Sequence, residues 1–183
     1  MTGRCNKLTA QIGEFLACAE LGKQGLIASP FAGNVPEFDV LVADECCRSI
    51  PIQVKSSNSL SWPSDARYWL DIDFDKKTGK QNKIGKKAIS NPNLIYIFVS
   101  ISSSKTQKDR FFILRKSDLQ DAAILGYSSW MEPRGWIRPR NPESYDNRIG
   151  IDLLQCFEDN WDLIKKELNA EPGGPANLAS LDG

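Results

Sequence analysis

Three side chains in two short apolar stretches carry the chemistry that this sequence can do. Asp39 opens the run Phe38–Ala43, and Gln53 and Lys55 lie within Ile50–Ser57. Side chains alternate along a strand, so Gln53 and Lys55 share one face while Ile52 and Val54 share the other. An acid and a lysine at the ends of neighbouring buried strands are costly unless they are paired or bound to a metal. Two arrangements meet that need. In one, Asp39 and Lys55 form a structural ion pair at a sheet end. In the other, Asp39, the Gln53 amide and the Val54 backbone carbonyl offer the oxygen ligands that a hard divalent cation takes. Lys55 then stands where it can hold an attacking water or offset negative charge developing on a phosphate. Spacing alone leaves both open.

What the chain lacks narrows the chemistry further. It has no histidine, which removes Ser-His-Asp and Cys-His catalysis, His-ligated zinc and any histidine pH switch. General-base work falls to Asp, Glu, Lys, Tyr or Cys. No G-x-x-x-x-G-K-[ST] or G-x-G-x-x-G occurs, so nucleotide-cofactor chemistry has no support. The five cysteines (Cys5, Cys18, Cys46, Cys47, Cys156) are odd in number and form no C-x-x-C. They suggest free thiols, with Cys46 and Cys47 adjacent in a turn, rather than a disulfide framework or a zinc ribbon.

Two stretches carry concentrated positive charge. Lys76, Lys77, Lys80, Lys83, Lys86 and Lys87 occur without an intervening acid, as in a solvated face or in an arm that neutralises backbone phosphates without reading sequence. Trp130, Arg134, Trp136, Arg138 and Arg140 interleave aromatic and cationic groups, a pattern suited to phosphate contact and base stacking but also to core or lid packing. Asp71, Asp73 and Asp75 resemble the start of a calcium loop, yet Lys76 stands where that loop needs glycine and Asn82 where it needs glutamate. The three carboxylates are expected on the wet face of a strand.

These groups must be positioned by elements that the patterning outlines. Leu8, Ile12, Phe15, Leu16 and Ala19 predict a helix over residues 8–21 with that face toward the core. Strands are expected over 26–31, closed by a turn at Gly33–Asn34, and over 36–43, 49–55, 67–74, 93–101 and 110–115. The alternation in 67–74 points Tyr68, Leu70, Ile72 and Phe74 inward, and the nearly continuous apolar run 93–101 suits a central strand that pairs with 110–115 as a hairpin. Ser117 reads as the N-cap of a short helix over 118–125. Residues 126–149 read as irregular, and Phe157, Trp161, Ile164 and Leu168 mark a final amphipathic helix over 157–168. This order argues an α/β (α+β) domain over residues 1–169, a central sheet flanked by helices, with a flexible tail over 170–183.

The 183 residues suit one domain with a real core. Lys and Arg total 23, as do Asp and Glu, so the formal net charge is zero. That argues against a strongly basic nucleic-acid coat protein but not against a local basic patch. No apolar signal core opens the chain and no run approaches the ~20 residues of a membrane span, so a cytoplasmic location is expected.

Taken together, the runs Gly13–Leu26, Pro36–Val42 and Ile50–Ser57 resemble the PD-(D/E)XK nuclease superfamily, in particular the branch containing archaeal Holliday-junction resolvases and group I intron homing endonucleases. The resemblance implies a restriction-endonuclease-like core and one magnesium- or manganese-binding cleft. It implies that a helical Glu, a strand Asp and an E/Q-x-K motif fall on Glu14, Asp39, Gln53 and Lys55, with Asp39, Gln53 and Val54 as metal ligands. Gln53 replaces the commoner Glu; it is neutral, but its carbonyl oxygen can still coordinate. At 100° per residue, Glu14 lies roughly 140° from the centre of the helix's apolar stripe, so it joins the cleft only if that flank lines it; Glu20 is the alternative acid. The implied activity is metal-dependent hydrolysis of DNA, duplex or branched, with a homodimer supplying two sites for two strands and Lys76–Lys87 contacting phosphates. An inactive nucleic-acid-binding module and a protein-interaction domain on the same fold are the alternatives.

Overall fold

The computed structural model describes residues 2–31, 37–104 and 106–170. The expected turn at Gly33–Asn34, Pro36 and the tail beyond residue 170 lie outside the described residues. Helix α1 (Thr2–Lys23) is followed by strands β1 (Ile27–Pro30), β2 (Val40–Ala43) and β3 (Ser49–Ser57). Then come β4 (Ser61–Asp65), β5 (Leu70–Asp75), β6 (Lys80–Lys86), β7 (Ile95–Ser100), β8 (Arg110–Arg115), α2 (Lys116–Met131), β9 (Asp146–Gly150) and α3 (Asp162–Asn169).

Five strands form the central sheet in the order β1-β2-β3-β7-β8. All neighbours are antiparallel except β3 and β7, which run parallel. A parallel pair needs a long crossover, and here β4 and the β5–β6 hairpin are part of it. Strand β7 is an interior strand, paired on both sides, as its apolar run predicts. Ile97 and Val99 face one layer and Phe98 the other, and all three are buried. Helices α1 and α3 cover the first face, packing Ala17, Leu21, Trp161 and Ile164 on Val40, Ile52 and Ile97. Helix α2 and the β4–β9 ribbon cover the second, where Trp62, Leu119 and Ile149 meet Phe98, Phe112 and Leu114. No helix among the described residues is long and apolar enough to cross a membrane.

Several expectations are corrected. Most of the predicted core stripe of α1 faces outward: Leu8 and Phe15 are 58% and 56% exposed, Leu16 alone of the stripe packs partly on the core, and Ala17 and Leu21 are fully buried. Gly13 and Ala17, at i and i+4, let the helix approach the sheet closely, and Leu21 at i+8 is buried on the same face. Strand β2 starts at Val40, so Asp39 precedes it. Residues 66–68 form a 3-10 turn before β5. The predicted alternation holds from Leu70 onward, but that turn breaks it at the start, leaving Tyr68 67% exposed and Trp69 buried. Ser117 lies inside α2, whose N-terminus is capped instead by Asp118 Oδ2 accepting from the Arg115 amide at 3.1 Å. The 126–149 stretch holds the end of α2 and the start of β9, and β4, which pairs with β9, has no counterpart among the predicted strands. The last helix begins at Asp162 rather than 157, after short 3-10 turns.

Candidate functional site

The site grows from the β2–β3 pairing. The Asp39 amide donates to the Ile52 carbonyl at 2.9 Å, which extends the ladder by one residue beyond β2. This holds the Asp39 carboxylate against β3. Its Oδ2 accepts from the Val54 amide at 2.9 Å and from Gln53 Nε2. Both bonds fall on Oδ2, so Oδ1 takes neither. Among the described residues no lysine or arginine forms an ion pair with Asp39, and Lys55 pairs with no carboxylate. The structural ion pair is therefore not formed.

Gln53 and Lys55 share the sheet face opposite Ile52 and Val54, as alternation requires. Gln53 is 8% exposed, while Lys55 is exposed. Parallel register sets Gln53 beside Tyr96 and Lys55 beside Phe98. Burial, then the charges of Asp39 and Glu37, push the Tyr96 phenol above its ordinary range, so it stays a neutral hydroxyl at the rim of the cluster. The sequence reading missed Tyr96. Its signal was present: it is the only hydroxyl-bearing residue inside the apolar stretch Leu94–Val99.

Helix α1 delivers Glu14 through an unusually close contact. Gly13 rests on Ser56, where an added Cβ would lie 2.4 Å from Ser56 Cβ and 2.6 Å from its Oγ. The Ser56 hydroxyl donates to the Thr9 carbonyl at 2.9 Å, one turn earlier on the same helix face. Measured from the observed buried face of Gly13, Ala17 and Leu21, Glu14 is only about 60° away, which explains why it is half-buried despite its distance from the apolar stripe. The alternative acid, Glu20, is instead paired with Lys23 at 2.6 Å.

The Glu14 carboxyl is held above its ordinary range by burial first and by the Asp39 charge second, with Lys55 opposing. Glu14 thus lies within the electrostatic reach of the Asp39 carboxylate and the Lys55 ammonium, and Asp39 is bonded to the Gln53 amide. Among the described residues no three Asp, Glu, Cys or His side chains converge as a metal cage. Glu14 and Asp39 offer carboxylate oxygens, the donor chemistry of a hard cation, while Gln53 turns its Nε2 toward Asp39 and has a carbonyl oxygen besides. Two like charges brought together without relief are costly, and that cost is what a cation removes. Cys18, one helical turn from Glu14, is a poor rival nucleophile, because burial and the Glu14 charge push its thiol up.

A pH prediction follows from Glu14. Its folded pKa is raised, so its favourable contribution is complete below its unfolded pKa and is lost as pH rises through the folded value. Without divalent cations, Glu14→Gln should therefore raise the melting temperature at neutral pH, and the gain should fade as pH drops below the carboxylate range. A gain that persists unchanged at acid pH means that Glu14 is not the strained group.

The lysine stretch is strand β6 and its flanks, not a loop. Lys83 donates to Ser128 Oγ at 3.2 Å, Lys86 pairs with Asp121 at 2.6 Å and Lys87 donates to the Arg67 carbonyl at 3.0 Å. Lys76, Lys77 and Lys80 stand exposed at the β5–β6 hairpin end. Asp71 and Asp73 are exposed along β5, as expected, and Asp75 instead caps the hairpin turn by accepting from Lys77 and Thr78. In the second basic stretch, Arg134 and Arg138 lie 4.1 and 4.8 Å from the Trp130 ring centre, while Trp136 packs on Tyr127.

No family model matches the chain, and no curated protein matches it. Among solved structures, a bacterial homing endonuclease superposes with a TM-score of 0.51 at 13% identity, covering 90% of this chain and 96% of its own. The Holliday junction resolvase Hjc of Archaeoglobus fulgidus covers 80% of this chain and 88% of its own, with a TM-score of 0.37 at 13% identity. The chain has the restriction-endonuclease-like fold, a central mixed sheet between helical layers.

Proposed function

We propose that this protein is a divalent-metal-dependent DNA endonuclease that hydrolyses phosphodiester bonds. The meeting of Glu14, Asp39, Gln53 and Lys55 at one sheet end carries the reading. A magnesium or manganese ion held by Glu14, Asp39 and Gln53, with the Val54 carbonyl as a further candidate ligand, would supply Lewis-acid polarisation of the phosphate. The chain's own residues do the rest. Asp39 is fixed by two hydrogen bonds from β3, so its free oxygen is presented without a rotamer search. Lys55, which forms no ion pair among the described residues, brings its ammonium to the phosphate and offsets the charge that builds as the bond breaks. Lys76, Lys77 and Lys80 offer phosphate contacts away from the site.

The test is incubation with duplex, branched and single-stranded DNA, with and without magnesium. Cleavage that needs the metal supports the proposal; salt-sensitive binding without cleavage in any condition replaces it with a binding module. Calorimetry gives an independent measure. Asp39→Ala should abolish magnesium or manganese binding while circular dichroism stays that of the folded protein. Unchanged metal affinity in that variant rejects Asp39 as a ligand.

A further inference from the structure

On the sheet face that carries Gln53 and Lys55, a cleft of about 570 Å³ opens beside the candidate site. The two are continuous, because Lys55 and Tyr96 belong to both. Rings build its walls. Trp69 is locked by its indole N–H donating to Ser64 Oγ at 2.9 Å, and Trp62 stands edge-on to Phe98 at 5.0 Å. Trp62 is 3% exposed, yet its indole N–H has no acceptor among the described residues. Tyr68 lines the same cleft while exposing two thirds of its surface.

Two further cations border this aromatic space. Lys87 and Lys116 both line it, and each ammonium is steered by a backbone carbonyl, of Arg67 at 3.0 Å and of Ser90 at 2.8 Å. Neither forms an ion pair among the described residues. Their charge is therefore positioned but not neutralised, and an ammonium keeps further donors for an anion. The accessible rings of Tyr68 and Tyr96, backed by buried Trp62, Trp69 and Phe98, with three ammonium groups at the edge suit one ligand chemistry: a planar heterocycle joined to phosphate. Pockets of roughly 300–1,000 Å³ hold a ligand of nucleotide size. A paired duplex cannot present this chemistry, because its base faces are covered by stacking; an unstacked base can.

We propose that this cleft is a subsite for one unpaired nucleotide of the DNA strand, next to the phosphate engaged by Lys55. The substrate class is then DNA with an extrahelical or single-stranded nucleotide beside the cleaved bond. This rests on the nuclease reading and adds to it: the acidic cluster does the chemistry, and the aromatic cleft selects where.

The experiment compares a fluorescent duplex carrying a single-nucleotide bulge with its fully paired counterpart, by anisotropy without divalent cations so that nothing is cut. The wild type should bind the bulged probe about fivefold or more tightly than the paired one, the lower range for one base–aromatic stack. Tyr68→Ala removes an exposed ring and should erase most of that preference. Ala88→Trp, at an exposed lining position, fills the space and should do the same without removing any contact. Equal affinity for both probes, a preference that survives in both variants, or no binding to either probe overturns the subsite. Magnesium-dependent cleavage of both the bulged and the paired DNA, measured with the same protein, keeps the two readings apart. Cleavage without bulge preference removes only the subsite, and bulge preference without cleavage removes only the nuclease.

Discussion

Lys55→Met should lower DNA cleavage by on the order of a hundredfold or more, the loss seen when one electrostatic stabiliser leaves an active site, with little change in melting temperature. Methionine keeps the length and apolar stem but removes the charge. The stability half of this expectation comes from the geometry around Asp39. That carboxylate is satisfied by the Val54 amide and the Gln53 side chain, so removing Lys55 strands no buried ion. DNA affinity should also hold nearly constant, because it comes from many phosphate contacts elsewhere. A structural role predicts the reverse pattern: a lower melting temperature and normal cleavage per folded molecule. Near-normal cleavage by folded Lys55→Met protein would reject the catalytic role.

Much of this site was legible before any coordinates. Alternation placed Gln53 and Lys55 on one face, and the hydrophobic run 93–101 marked a strand that lies inside the sheet, paired on both sides. The resemblance in three short runs pointed to a fold that the superposed homing endonuclease shares. The seating of α1 was not legible, for a physical reason. A hydrophobic stripe identifies a helix face that avoids water, but a face built from Gly13, Ala17 and Leu21 can lie closer to a sheet, and here proximity decided. Leu8, Ile12 and Phe15 were left outward as a result. The same limit hid the end of the cleft. A 3-10 turn at 66–68 takes those residues out of the strand's alternation, which begins only at Leu70, and so exposes Tyr68 and leaves Trp69 buried. Strand β4 carries a proline, Pro63, which demotes a strand signal unless the strand lies at an edge; β4 pairs on one side only, with β9.

If the Gly13–Ser56 contact is what aims Glu14, then a single methyl group should change sign according to its neighbour. Gly13→Ala in the wild-type background places a Cβ inside the contact distance of Ser56 Cβ and Oγ, and strand β3 cannot recede because β2 and β7 hold it on both sides. Overpacking of this kind costs about 1–3 kcal/mol, or roughly 2–4 °C of melting temperature per kcal/mol for a chain of this size. Cleavage should fall as well, because the helix must lift and take Glu14 with it. Ser56→Gly removes both atoms that clash, leaving Ser56 Cα as the nearest neighbour at 3.7 Å. That change has its own cost, about 1 kcal/mol for the lost bond to Thr9 and roughly as much for glycine in a strand. In that background the added methyl meets only ordinary contacts, and alanine's helix preference over glycine, about 0.8–1 kcal/mol, becomes the governing effect. Gly13→Ala should then stabilise Ser56→Gly rather than harm it, and the double variant should recover the cleavage that the single alanine lost. Calorimetric melting and cleavage rates across the four proteins decide the matter. If the two substitutions simply add, the helix is seated by something other than this contact, and Glu14 owes its place in the cleft to the Ala17 and Leu21 packing alone.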